Sequence, residues 1–112
     1  MRTCLIYVTV GNAADADRIA HSLVAERLAA AANILPSVRS FYWWDGALQT
    51  NTELVVILKT RSDLADSAVE RIKALHSYLC PGIVVVPIEG GNPAYLDWIA
   101  AETRPEAPTP DE

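Results

Sequence analysis

The 112-residue sequence predicts an α+β domain with the element order β-α-β-β-α-β and one further helix at its C-terminal end. Short runs rich in β-branched residues alternate with two longer stretches in which apolar residues recur at helical spacing. The pair Asp45-Gly46 separates the second and third strand-like runs and is typical of a two-residue hairpin turn. The two β-α-β halves of the chain therefore share a central hairpin.

The first half contains a strand, a helix and a second strand. Residues Thr3 to Val10 alternate and are rich in β-branched side chains, which predicts a strand. Acidic residues after Gly11-Asn12 favour a helix start, because negative charge in the first turn complements the helix dipole. The apolar spacing predicts an amphipathic helix from Asp15 to about Ala31. Asn33 to Trp44 is predicted as the second strand, bent near Pro36.

The second half repeats this pattern and adds a short helix. Ala47 to Lys59 is predicted as the third strand, with an apolar run over 54–58 that is buried on both faces. Ser62 is predicted to cap a helix that reaches Tyr78 and ends before Pro81-Gly82. Ile83 to Glu89 is predicted as the fourth strand. Asn92-Pro93 is then expected to begin a third helix over 94–102.

These elements are predicted to form one domain over residues 1–103, and residues 104–112 a flexible, acidic, proline-rich tail. Two right-handed β-α-β crossovers that share a hairpin give the ferredoxin-like sandwich. In that arrangement both long helices cover one face of an antiparallel sheet.

Composition and charge exclude several classes of function. The nine basic and fourteen acidic residues give a net charge of −5, which argues against nucleic acid as a partner. No apolar run reaches the roughly 18 residues of a membrane span, and the N-terminal residues lack the pattern of a signal peptide. Cys4 and Cys80 are far apart and indicate reduced thiols. We therefore expect a cytoplasmic protein without a membrane partner.

The predicted hairpin is longer than the helices that would cover it. The second strand would extend ~40 Å and the second helix ~25 Å, so the hairpin overhangs the helix layer by roughly 15 Å. Four consecutive aromatic residues lie on the overhang, with Tyr42 and Trp44 on one face and Phe41 and Trp43 on the other. The strand could curl so that these rings pack on their own core. We favour pairing of the arms with neighbouring copies in a closed ring.

Three side chains are candidate metal ligands. His76 could be a ligand in a cleft between subunits, or a residue that packs at the end of its helix. Cys80 follows four residues later and would face His76 if the helix continued, which would suit a soft ion such as Cu(I). Glu53 could be an exposed rim carboxylate or a ligand between subunits.

Catalysis is poorly supported by the sequence. The chain has no GxSxG nucleophile elbow, and its two histidines have no evident nucleophile and orienting acid. Gly90-Gly91-Asn92 precedes a helix but is not followed by the Gly-Lys-Ser/Thr of a P-loop. We therefore expect no enzyme activity and no required cofactor.

Many ordered motifs between Thr3 and Ala101 resemble the CutA divalent-cation-tolerance family. They are Arg27-Leu-Ala-Ala, Asn33-Ile, Tyr42-Trp-Trp-Asp-Gly46, Glu53, Lys59-Thr60, Leu75-His76-x-Tyr78-x-x-Pro81, Pro87 and Gly91-Asn-Pro-Ala-Tyr-Leu-Asp-Trp98. The resemblance implies a ferredoxin-like protomer in a homotrimer related in architecture to the P-II signalling proteins. It also implies a role in tolerance of copper and other divalent ions, a cytoplasmic location in bacteria and no established enzyme activity.

The chain departs from the family pattern near the candidate ligands. Ala31 stands where many members have cysteine, and Ser77, Leu79 and Gly82 replace residues that commonly include a proline and a glutamate. A divalent cation, copper included, is therefore expected to bind only weakly.

The expected inter-subunit clefts and interfaces combine aromatic residues with one lysine. They contain Phe41, Tyr42, Trp43, Trp44, Lys59, Tyr78, Tyr95 and Trp98. A signalling or scaffold trimer of the P-II kind, which binds a small anionic ligand through Lys59 or a protein partner, is the second hypothesis.

Overall fold

The computed structural model describes residues 2–105, so nearly all of the predicted tail lies outside the described residues. The elements follow the predicted order, with a short 3₁₀ turn before the second helix. They are β1 (Thr3–Val10), α1 (Ala13–Ala25), β2 (Ala31–Trp44), β3 (Ala47–Arg61), the 3₁₀ turn (Ser62–Leu64), α2 (Ala65–Leu75), β4 (Ile83–Pro87) and α3 (Pro93–Glu102). Within residues 2–105, the helices are too short or too polar to cross a bilayer.

The four strands form one antiparallel sheet in the order β2-β3-β1-β4. This order places β3 between β1 and β2, as two β-α-β crossovers around a shared hairpin require. The predicted α+β, ferredoxin-like fold is therefore confirmed. The strands β2 and β4 are the two edges of the sheet.

The core lies between the sheet and helices α1 and α2. Alternate residues of β1 face the helices together with their partners in the second half of β3, as Ile6 does with Leu58 and Val8 with Val56. The buried cluster consists of Ile6, Val8, Val10, Ala16, Ile19, Leu23, Leu28, Ala29, Val56, Leu58, Ala68 and Ile72. Helix α3 packs near the other face, where Lys59 of β3 donates a hydrogen bond to Tyr95.

Helix α1 ends six residues before the predicted Ala31, because Arg27 adopts a left-handed conformation with φ of 58°. The amide of Leu28 donates to the carbonyl of Leu23, which gives the Schellman arrangement, and both side chains are buried. The Arg27 carbonyl also accepts from the amide of Arg104. These tertiary contacts override the helix preference of the alanines that follow.

Helix α2 is also shorter than predicted. Ser62 is not the cap of α2, because Ser62 begins the 3₁₀ turn and the cap position of α2 is Leu64, which makes no side-chain capping bond. The helix ends at Leu75, and His76 is extended with ψ of 142°, so the prediction that the helix reaches Tyr78 is wrong. Residues 76–82 instead run past the end of β1, where Thr9 donates its amide hydrogen to Gly82.

The strands differ from the prediction mainly at their ends. The strand β2 begins two residues earlier, β3 continues to Arg61, and β4 ends at Pro87 rather than Glu89. The predicted bend near Pro36 is confirmed as a bulge, because Leu35 pairs with Val55 whereas Val38 pairs with Glu53. Beyond this bulge the hairpin β2-β3 continues as an arm, defined here as residues 39–52.

Candidate functional site

The arm carries large apolar side chains that its own chain leaves uncovered. Phe41 is 64% exposed and Trp43 is 73% exposed, and Leu48, which pairs with Trp43, is 61% exposed. No arm residue belongs to the buried cluster of the described chain. The alternative that the strand curls and packs these rings on its own core is therefore wrong.

The arm and the segment after α2 enclose a cavity of about 780 Å³. Cross-strand pairs share a face of the sheet, and the register pairs Ser40 with Asn51 and Tyr42 with Gln49. Tyr42 and Trp44 therefore lie on the strand face that also carries Glu53. The cavity is lined by Thr9, Arg39, Ser40, Phe41, Tyr42, Trp44, Asn51, Glu53, Tyr78, Leu79, Cys80 and Gly82.

Glu53 lines this cavity and is buried, with only 5% of its surface exposed. Its Oε2 accepts a hydrogen bond of 2.7 Å from the hydroxyl of Tyr78. Burial, and then this hydrogen bond and the charge of Glu53, raise the pKa of Tyr78, so the phenol stays protonated and donates. Our interpretation of Glu53 as an exposed rim carboxylate is wrong, since Tyr78 covers it.

His76 uses both ring nitrogens within its own chain. Its Nε2 lies 2.7 Å from the carbonyl oxygen of Thr9, and its Nδ1 accepts from the amide of Tyr78 at 3.0 Å. These partners assign the ring proton to Nε2 and leave no free lone pair for a metal ion. His76 therefore positions Tyr78, and the two rings lie 4.7 Å apart.

The three predicted metal ligands do not form one coordination site within the chain. Helix α2 ends before His76, so the helical spacing that would have placed Cys80 opposite His76 does not exist. Cys80 is an exposed free thiol and lines the same cavity as Glu53. Across residues 2–105, no three His, Cys, Asp or Glu side chains are grouped closely enough to hold a metal ion.

Asp15 fixes the segment that carries His76 and Tyr78. Its carboxylate accepts from the hydroxyl of Ser77 and from Arg18, and Arg18 also donates to the carbonyl of Leu75. The Ser77 hydrogen bond, together with the bond and charge of Arg18, lowers the pKa of Asp15 despite its burial. The sequence indicated only the helix-dipole role of Asp15, since no local signal links it to Ser77.

We predict that Asp15→Asn destabilises the protein strongly at neutral pH and much less in acid. The folded-state pKa of Asp15 lies below its ordinary value of 3.8, so its contribution is present above about pH 4 and is lost as the pH falls through the folded-state pKa. Loss of charge-assisted hydrogen bonds should lower the free energy of unfolding by about 1.5 to 3 kcal/mol at pH 7. Urea unfolding at pH 7 and pH 3 measures this difference.

The exposed Asp17→Asn variant on the same helix is the matched control and should show little effect at either pH. An Asp15→Asn deficit of the same size at both pH values would contradict the assigned role of the carboxylate.

Lys59, Tyr95 and Trp98 form a second cluster, which is separate from the cavity. The Nζ of Lys59 donates to the Tyr95 hydroxyl at 3.0 Å and lies 5.3 Å from the centre of its ring. Tyr95 and Trp98 are stacked with ring centres 5.6 Å apart. Lys59 is six positions along β3 from Glu53, a separation of ~20 Å. The structure therefore does not bring the predicted cleft residues into one site within a single chain.

The fold and the site define the chain as a ferredoxin-like protomer with an uncovered aromatic arm. Residues 4–102 match the model of the CutA1 divalent ion tolerance protein family. This chain belongs to that family, which confirms the predicted resemblance.

Relatives from plants and archaea are similar to most of the chain. The chloroplastic Protein CutA 1 of Oryza sativa is 45% identical over 100 residues, which cover 89% of this chain and 56% of that protein. The divalent-cation tolerance protein CutA of Archaeoglobus fulgidus is 44% identical over 94 residues, which cover 84% of this chain and 91% of that protein. The chain thus spans about half the length of the rice protein.

Solved structures of the family confirm the fold. The crystal structure of CutA1 from Oryza sativa has a TM-score of 0.89 and 43% identity, over 93% of this chain and 95% of that chain.

Proposed function

We propose that the chain acts in divalent-cation tolerance as a cytoplasmic, non-enzymatic homotrimer that binds divalent cations, copper included, weakly at clefts between subunits. The uncovered aromatic arm is the observation that carries this proposal. Rings such as Trp43, exposed over 73% of its surface, need a neighbouring copy to exclude water. The family's name supports the tolerance role. The architecture related to P-II proteins, which the family resemblance implies, supports an assembly of three chains.

The two edges of the sheet support assembly into a ring. Gly82 accepts a backbone hydrogen bond from Thr9 of β1, and Ile88 donates one to Thr3 of the same strand. The residues of β4 that alternate with Gly82 and Ile88 therefore direct their backbone groups outward. Ile83, Val85 and Pro87 occupy these outward positions, and Pro87 has no N–H to leave unpaired. We propose that β4 of one copy pairs with β2 of the next in a head-to-tail contact, which forms a ring where the rotation between copies closes.

The exposed apolar residues on the sheet face opposite α1 and α2 support the same assembly. Tyr7 pairs with Val84, and both side chains are exposed, as are those of Leu35 and Val86. Large apolar side chains that are exposed on one face of a sheet in this way usually mark an interface.

The polar groups of the cavity support weak binding of a divalent cation. Glu53 and Cys80 line the same cavity and supply one carboxylate and one thiol. Two protein ligands are fewer than a stable metal site needs, so the affinity should be low. His76 lies outside this pair, because a metal ion would have to displace its bond to Tyr78.

Two further observations support the non-enzymatic role and the cytoplasmic location. Of the two histidines, His76 is occupied by backbone groups and His21 is exposed on α1. Cys4 and Cys80 are both free thiols, as expected in a reducing compartment.

Titration calorimetry with Cu(II) and Zn(II) tests the metal-binding part of the proposal. We expect weak binding that falls by about tenfold or more in Glu53→Gln and in Cys80→Ser, since each removes one of two ligands. Glu70→Gln removes the same charge from an exposed position on α2 and should leave the affinity unchanged.

Unchanged metal affinity in both cavity variants would contradict the proposal. Binding of a nucleotide that is lost in Lys59→Gln would instead favour the P-II-like function.

A further inference from the structure

We propose that the cavity beside Glu53 binds a small organic ammonium ion, which is held by the carboxylate and by the faces of the surrounding aromatic rings. This inference shares the cavity with the proposed function but assigns it a cation of a different chemical class. The proposed ammonium site is built from residues of one protomer. Its occupation by an ammonium ion does not depend on whether a metal ion binds.

The buried carboxylate has no cationic partner in the described part of the chain. Glu53 is 95% buried, and Tyr78 is its one hydrogen-bond donor in the described part of the chain. None of the ion pairs among residues 2–105 involves Glu53. Tyr78 donates as a neutral group, so it does not neutralise the charge. A buried carboxylate without a cation is costly, and a bound cation would remove that cost.

The walls of the cavity suit an organic cation better than a metal ion. Tyr42 and Trp44 share the strand face of Glu53, Tyr78 approaches from the segment after α2, and Phe41 also lines the cavity. Aromatic faces attract an ammonium group that lies within about 6 Å of the ring centre, and tryptophan does so most strongly. Aromatic rings donate no ligand to Zn²⁺ or Cu²⁺, which need several N, O or S donors.

The size and charge of the cavity agree with such a ligand. Its volume of about 780 Å³ lies within the usual range for small-molecule sites. Arg39 is the one basic residue among the described lining residues, and it is exposed. Its side chain leaves β2 on the face opposite Tyr42 and forms no ion pair with Glu53. Because Arg39 is a basic residue that lines the cavity, it would repel a bound cation, so Arg39→Gln should tighten binding.

Binding of butylammonium, compared with the neutral 1-butanol of similar shape, tests the proposal. The full chain in its native assembly is titrated with each probe, and saturation-transfer NMR and tryptophan fluorescence report the binding. We expect butylammonium to bind at least about tenfold more tightly than 1-butanol, because only the cation gains from the carboxylate and the rings. Glu53→Gln should abolish this preference, whereas Glu70→Gln should keep it.

A second variant removes the ring and keeps the carboxylate. Trp44→Leu preserves apolar volume but not the aromatic face, and it should weaken butylammonium binding several-fold with little effect on 1-butanol. This variant decides the question if Glu53→Gln does not fold.

Equal binding of the two probes would overturn the proposal, because the cavity would then be a merely apolar site. Absence of butylammonium binding by an assembly shown intact by sedimentation would also overturn it, since a neighbouring copy would then fill the cavity. Metal titrations separate this result from the proposed function. If butylammonium binds and neither Cu(II) nor Zn(II) does, only the metal-binding part of the proposed function is wrong. If a metal ion binds and butylammonium does not, only the proposed ammonium site is wrong.

Discussion

Trp43→Ala is expected to dissociate the assembly at micromolar concentration and to leave the protomer folded. The ring contributes little to the protomer, because 73% of its surface is exposed and its cross-strand partner Leu48 is exposed as well. In the assembly the ring would be buried, and removal of a buried large aromatic side chain costs ~3 to 5 kcal/mol. Each 1.4 kcal/mol is a factor of about ten, so the dissociation constant should rise by roughly 10² to 4 × 10³.

Sedimentation velocity over a dilution series measures this change, and circular dichroism checks the fold of the dissociated chain. Trp43→Phe is the control, because it retains an aromatic ring on the same strand face and should assemble nearly as the parent chain does. If Trp43→Ala kept its mass and its melting temperature at every dilution, the arm would not be an interface.

Val85→Pro is expected to block ring closure through the edge of the sheet. Val85 lies at an outward position of β4, so proline there removes no hydrogen bond to β1. Proline would remove the outward N–H, which we propose pairs with β2 of the neighbouring copy, and would introduce its ring at that edge. Pro87 already occupies an equivalent outward position in the same strand, which shows that the protomer accepts proline there.

The native mass of Val85→Pro, compared with that of Val85→Thr, measures this effect. Threonine retains the N–H and a β-branched shape, so Val85→Thr should still assemble. Val85→Pro should have the mass of one chain at concentrations where Val85→Thr is fully assembled. If Val85→Pro assembled with unchanged affinity, β4 would not be the edge through which the copies pair.

The order and type of the elements could be predicted from the sequence because they depend on local patterns. The alternation in Thr3–Val10 and the Asp45-Gly46 turn are properties of neighbouring residues, and both are confirmed. The helix ends were predicted incorrectly, because they depend on distant contacts. Helix α1 ends where the Arg27 carbonyl meets the amide of Arg104, which lies 77 positions later in the sequence.

The site was predicted only in part for the same reason. The arm and its rings follow from strand length and alternation, so their exposure could be anticipated. The pairing of Glu53 with Tyr78 spans 25 positions and depends on where α2 ends. The cleft residues were therefore grouped too broadly, and Lys59 belongs with Tyr95 rather than with the cavity.

The mass of the native assembly in dilute solution tests the central claim most directly. Sedimentation equilibrium or native mass spectrometry of the parent chain at micromolar concentration should give three times the 12.2 kDa mass of the chain. A parent chain with the mass of a single copy under these conditions would contradict the claim, because the unaltered arm would then not hold neighbouring copies together.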